Sequence, residues 1–122
     1  FPGETDADFA ANLEYLPGSA LSHLHVFPYS DRPGTDASLM DGKVEPAVIR
    51  ERGAQLRAIG AALTSAFRQR QVGTVRPALT LDDGTAVVTD NYLKLKIAPG
   101  HFRNERVHVR LVDADAGAAV VV

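Results

Sequence analysis

His23 and His25, one residue apart, invite a metal-ligand reading. Alternate residues of a strand share a face, but a stable site needs at least a third ligand, and His101 and His108 lie far along the chain. Glu4, Asp6 and Asp8 could supply acid–base chemistry. Their place just before an apolar helical run suits a helix start better, where carboxylates meet the positive end of the backbone dipole. No glycine-and-lysine loop is spaced to cradle a phosphate, and no Gly-x-Ser-x-Gly elbow presents a nucleophile. With no cysteine, disulfides, thiol catalysis and cysteine-held clusters are excluded for this chain.

The remaining pattern is cationic. Leu93, Leu95 and Ile97 alternate with Tyr92, Lys94 and Lys96, and Val107, Val109 and Leu111 alternate with Arg106, His108 and Arg110. A period of two sends the aliphatic set to one face of a strand and the cationic set to the other. If the two strands are neighbours, they form a basic face with one aromatic able to stack a base. The same residues could equally serve as the solvated outer face of a barrel.

Charge placement points the same way. The chain has 122 residues, 13 basic and 15 acidic, for a net charge of -2. Residues 1–67 hold five basic and nine acidic side chains, whereas residues 68–110 hold eight basic and four acidic ones. A basic second half in a near-neutral chain fits a local polyanion-binding surface. The composition, 45% hydrophobic and 23% charged, is that of an ordinary folded protein, and no apolar run is long enough to span a bilayer. The chain opens on Phe1 rather than Met, in mid-motif, and is expected to be cut from something longer.

Three zones must position these residues, expected at 1–40, 41–71 and 72–122. In the first, Thr5 or Asp6 caps a helix with Phe9, Leu13 and Leu16 at helical spacing, stopped by Pro17-Gly18. Leu21 to Tyr29 reads as a buried strand, and Arg32-Pro33-Gly34-Thr35 as a polar turn. Helix, strand and loop in that order suggest the last unit of a repeating α/β sheet or barrel. The second zone is an amphipathic connector starting at Pro46, with Ile49, Leu56, Ile59, Leu63 and Phe67 on its apolar stripe. It should run for roughly 22 residues, or about 33 Å. The third zone is all β, with strands at Val75–Leu81, Ala86–Ile97, Arg106–Val112 and Ala118–Val122. The turn Asp82-Asp83-Gly84-Thr85 joins the first two, and closure into a small antiparallel barrel would leave no bare edges.

The ordered motifs resemble the radical S-adenosylmethionine tRNA methylthiotransferases. They are Phe1-Pro2-Gly3-Glu4-Thr5 with Asp8-Phe9, Leu24-His25-Val26-Phe27-Pro28-Tyr29-Ser30, Arg32-Pro33-Gly34-Thr35, and Thr89-Asp90-Asn91-Tyr92-Leu93. The resemblance covers essentially the whole chain. It implies an α+β fragment: the tail of a radical S-adenosylmethionine (TIM-like) barrel, a connector helix, and a TRAM domain, which is a small OB-like RNA-binding barrel. His25-Val26-Phe27-Pro28-Tyr29-Ser30 is most similar to the branch that acts on threonylcarbamoyladenosine beside the tRNA anticodon.

By the same resemblance, Pro2, Gly3, Glu4, Tyr29, Ser30 and Arg32 lie near the bound S-adenosylmethionine, at the end of the barrel where active sites gather. Tyr92, Lys94, Lys96, Arg103, Arg106 and Arg110 belong to the tRNA-binding module. The parent would carry two four-iron four-sulfur clusters on cysteine ligands, which this chain lacks. The fragment is therefore expected to bind no cofactor or metal, to be inactive alone, and to bind tRNA. It is also expected to be cytoplasmic, off the membrane, and to pack against the missing portions of its parent. The contrasting reading is a non-enzymatic module whose basic face docks an acidic protein. Bare Leu21, Leu24, Val26 and Phe27 would be a dimerisation hazard.

Overall fold

The helix start at Thr5 is a reciprocal capping box. Thr5 Oγ1 accepts from the Asp8 amide at 3.1 Å, and the Asp8 carboxylate accepts from the Thr5 amide at 2.9 Å. From there α1 runs over Asp6–Tyr15 and closes in a 3-10 turn at Leu16–Gly18. The computed structural model describes all residues, 1–122. A four-residue helix, α2 (Asp36–Leu39), follows the Arg32–Thr35 turn and is capped by the Thr35 side chain. The connector α3 occupies Pro46–Gln71, 26 residues, or about 39 Å at the usual rise. It is a turn longer than the apolar spacing suggests, because Gln69 and Arg70 extend it to the left-handed Gly73.

Two compact units divide the chain at Thr64/Ser65, inside α3. In the first unit, Leu21–Tyr29 is not the strand expected from its residues. It pairs with no other strand, since the unit offers no neighbour to complete its backbone hydrogen bonds. Its alternation survives nevertheless. Ser22, Leu24 and Val26 are half-buried, while His23, His25 and Phe27 are exposed, and the His25 and Phe27 rings stack with centroids 6.5 Å apart. Leu24 lies under Gly60 of α3, and Thr64 Oγ1 donates to the Ser22 carbonyl at 3.0 Å.

The second unit is a closed barrel of five strands: β1 (Val75–Leu81), β2 (Ala86–Thr89), β3 (Lys94–Lys96), β4 (Arg106–Asp113) and β5 (Ala118–Val121). Around the ring the order is β1-β2-β3-β5-β4. Its core is Ala78, Val87, Leu93, Leu95, Ile97, Val109, Leu111 and Ala119, with Phe67 packed against it. Closure, and an OB-like architecture, are as expected.

Three details differ from the sequence reading. Ala86–Ile97 is two strands, because Thr89 Oγ1 captures the Leu93 amide at 2.9 Å and Tyr92 turns left-handed at φ 65°. The barrel is not wholly antiparallel, since β3 meets β5 in a parallel bridge at Lys96 and Ala118. Most importantly for function, β3 and β4 are not neighbours. The loop between them crosses the end of β1, where the buried Thr80 hydroxyl donates to the Phe102 carbonyl (2.6 Å) and accepts from the Glu105 amide (2.7 Å). That crossing delivers β4 to the far side of β1.

Candidate functional site

Two groups of residues carry the functional expectations, one in each unit. In the first, Pro2 is buried and Gly3, at φ 80°, donates its amide to the Gly42 carbonyl at 2.8 Å. This turn presents Glu4 to Arg52 of α3. The Arg52 guanidinium binds the Glu4 carboxylate, reaches Asp6 at 2.8 Å, and lies 5.2 Å from the Phe9 ring centroid. Its side chain is 10% exposed, and the hydrogen bond to Asp6, then that to Glu4, holds its proton more tightly than usual.

Tyr29 donates to Asp31 at 2.8 Å, and Lys43 completes the group by binding Asp31 and standing 5.4 Å from the Tyr29 ring centroid. Hydrogen bonds from Lys43 and then Tyr29 hold the Asp31 carboxyl below its ordinary range. Desolvation, followed by the bond to Asp31, raises the Tyr29 phenol.

A cavity of about 290 Å³ gathers Glu4 and Tyr29 with Phe27, Arg50, Arg52 and Arg57. The fold thus brings together two of the six residues expected there. Pro2 and Gly3 shape the turn behind Glu4, while Ser30 and Arg32 are exposed and do not line the cavity. Arg52, Asp31 and Lys43 were not anticipated. For Arg52 a signal existed: position 52 is three after Ile49 and four before Leu56, squarely on the buried stripe.

In the barrel, the expected alternation is realised. Leu93, Leu95, Val109 and Leu111 are at most 2% exposed, while Lys94, Lys96, Arg106, His108 and Arg110 point outward. Lys94 pairs with Asp82 at 3.2 Å, whereas Lys96, Arg103, Arg106 and Arg110 make no ion pair. The two cationic rows do not form one face directly, as the sequence pattern suggested, because β5 separates them on one side of the ring and β2 with β1 on the other. Tyr92 is 83% exposed but sits in the turn before β3, and Arg103 sits in the loop before β4.

Register defines what lies between the rows. Lys94 is opposite Val88, Val88 opposite Leu79, and Leu79 opposite Arg106. Next to them, Pro77 faces His108 and Val75 faces Arg110. The end of the barrel near Tyr92 is closed by a polar network: Arg76 binds Asp90 at 3.0 Å, and Gln71 accepts from both Arg76 (3.2 Å) and Asn91 (3.1 Å).

Comparison with known proteins gives these geometries a context. No family model matches the chain. A threonylcarbamoyladenosine tRNA methylthiotransferase of Treponema pallidum is 33% identical over 99% of this chain and 26% of its own length. A tRNA-2-methylthio-N(6)-dimethylallyladenosine synthase of Acidothermus cellulolyticus is 34% identical over 100% of this chain and 24% of its own. A synthase of the same name from Parafrankia reaches 44% over 60% of this chain and 15% of its own. The chain belongs to the tRNA methylthiotransferase family.

The chain spans between 15% and 26% of the length of those relatives. It holds no cysteine, so the thiolates that bind iron–sulfur clusters are not among its residues, and no other cluster of His, Asp and Glu could hold a metal ion. No helix of the chain is long and apolar enough to cross a membrane.

Proposed function

We propose that this chain is the C-terminal part of a cytoplasmic tRNA 2-methylthiolating enzyme, and that its own contribution is tRNA binding by the barrel rather than catalysis. The observation that carries the reading is the outward, largely unpaired set Lys94, Lys96, Arg103, Arg106 and Arg110 on a closed barrel, in a chain whose relatives are named tRNA-modifying enzymes. Each guanidinium or ammonium group neutralises a phosphate and releases a counterion, which makes binding steeply salt-dependent. Tyr92, exposed in its turn, is free to stack on an unpaired base.

The first unit is, in this reading, the tail of the parent's radical S-adenosylmethionine barrel. Leu21–Tyr29 would then find strand partners in the rest of that barrel, burying Phe27 and removing the dimerisation hazard. The cavity beside Glu4 and Tyr29 would border the S-adenosylmethionine site, with Pro2 and Gly3 shaping its wall and Ser30 and Arg32 at its rim. When bound, that cofactor and the parent's iron–sulfur clusters supply the radical chemistry. The residues of this chain only position and enclose, because Glu4 is held by Arg52 and Tyr29 by Asp31. Within the family we assign the threonylcarbamoyladenosine branch on the Leu24–Ser30 motif. Relatives of both branches match the chain equally well, so analysis of nucleosides modified by the parent enzyme decides the branch.

The test is tRNA binding by this chain at several salt concentrations, with Lys94, Lys96, Arg106 and Arg110 changed together to Ala. Binding should fall steeply with salt, and the variant's log–log salt slope should be smaller by about 3, or roughly 0.7 per lost phosphate contact. An absence of tRNA binding at low salt, or tighter binding to an acidic protein than to tRNA, overturns the proposal.

A further inference from the structure

The cations of the barrel flank an exposed apolar strip. Val75, Pro77 and Leu79 alternate along the outer side of β1, and Val88 continues the strip on β2. Val75 is 46% exposed and Leu79 37% exposed, and Val88 is half-buried. Lys94 bounds the strip on one side, with Arg106, His108 and Arg110 on the other, each directly opposite one of its members. Lys94 to Arg106 is three strand steps, or about 14 Å at the usual spacing. On the other side of the ring only β5 separates the cationic rows, with Ala118 opposite Lys96 and Val120 opposite Arg110, so the apolar surface there is one strand wide, against two on β1 and β2.

Resting on the RNA-binding reading above, we infer that the β3-β2-β1-β4 face is the RNA track, and that it takes a single-stranded stretch rather than a duplex. Charge complementarity selects a polyanion, since cations bound the strip on both sides and Arg106 and Arg110 have no acidic partner. The apolar middle selects the single strand. A duplex turns its phosphates outward and would set them against Val75, Leu79 and Val88, costing desolvation with no return. A single strand can turn ribose and base faces toward the strip while its phosphates reach Lys94 and Arg106. No aromatic side chain lies on the strip, so contact is by apolar surface and charge, and base identity matters little.

Two charge-matched variants of this chain test the track, Leu79→Glu on it and Leu39→Glu on α2 of the first unit, 85% exposed and outside the barrel. Both positions are exposed, so each variant should keep the wild-type circular dichroism spectrum. Binding of a single-stranded RNA and of a hairpin duplex of equal phosphate number is measured at one low salt concentration. Leu79→Glu should weaken single-strand binding about tenfold and Leu39→Glu less than about twofold, with the wild type preferring the single strand. Equal losses in the two variants, or a preference for the duplex, overturn the track while leaving RNA binding intact. Failure of the wild type to bind either RNA overturns the RNA-binding reading itself.

Discussion

At the scale of single residues, the barrel depends on a close approach at Gly84. Its φ is 86°, and a Cβ built there would stand 1.9 Å from the His101 carbonyl oxygen. Neither the hairpin nor the β3–β4 loop can retreat freely, because Thr80 ties the loop to β1 through Phe102 and Glu105. Gly84→Ala should therefore destabilise the barrel by ~3 kcal/mol, more than the ~1 kcal/mol that left-handed backbone strain alone would cost. Gly73 is the control, with φ 83° and open space around its Cβ position. Chemical denaturation followed by circular dichroism separates the two substitutions, and equal losses would show that the contact with His101 is unimportant. Asp-Asp-Gly-Thr announced a turn at Gly84. The approach to His101, 17 positions away, depends on a loop crossing that no local pattern encodes.

The elements tell a similar story, most clearly in α3. Its apolar stripe was legible, because packing against one face leaves a 3.6-residue period in the sequence. Its two interior glycines look equivalent there, and they are not. A Cβ on Gly53 would meet only the flexible Arg57 guanidinium, at 3.2 Å, whereas one on Gly60 would meet Leu24 Cβ at the same distance. Gly53→Ala should stabilise the first unit by ~0.5–1 kcal/mol through helix propensity. Gly60→Ala should destabilise it by ~1 kcal/mol, because Leu24 is held by the backbone and must be displaced. Thermal unfolding of the two variants gives opposite signs if this packing is correct, and the same sign would refute it. At the other extreme, Leu21–Tyr29 has strand-forming residues and a period of two but no ladder, since strand propensity is satisfied only by a partner.

For the molecule as a whole, acid should act on both units through a few held carboxylates. Asp8 is drawn below its ordinary value of 3.8 by the Thr5 amide and hydroxyl, and Asp31 by Lys43 and Tyr29. In the barrel, Asp83 is lowered by the Thr85 hydroxyl and amide. A carboxylate whose folded pKa is depressed contributes stability that is complete above its ordinary value and is lost as pH falls through the depressed one. Lys43, raised by Asp31, keeps its charge throughout this range. Stability should thus be flat from neutral pH to about 5 and decline below about 3.8. The double variant Asp8→Asn, Asp31→Asn should show a shallower decline, read as the denaturant midpoint against pH. An unchanged profile would assign the acid sensitivity to other groups.

The sequence by itself determined the helix cap at Thr5, the connector stripe, the hairpin at Asp82–Thr85, and which residues of β3 and β4 face in or out. These are local: caps, turn residues and periodicity act over a few positions, so their signals sit side by side in the chain. The family, too, was legible in ordered motifs. Tertiary structure alone decided that β4 pairs with β1 and not β3, and that Leu79 and Val88 lie between the cationic rows. It also decided that Glu4 is held by Arg52 and Tyr29 by Asp31 with Lys43. Strand order is set by where a loop can be anchored and which core closes without bare edges, and that free energy belongs to the assembled barrel rather than to any segment of it.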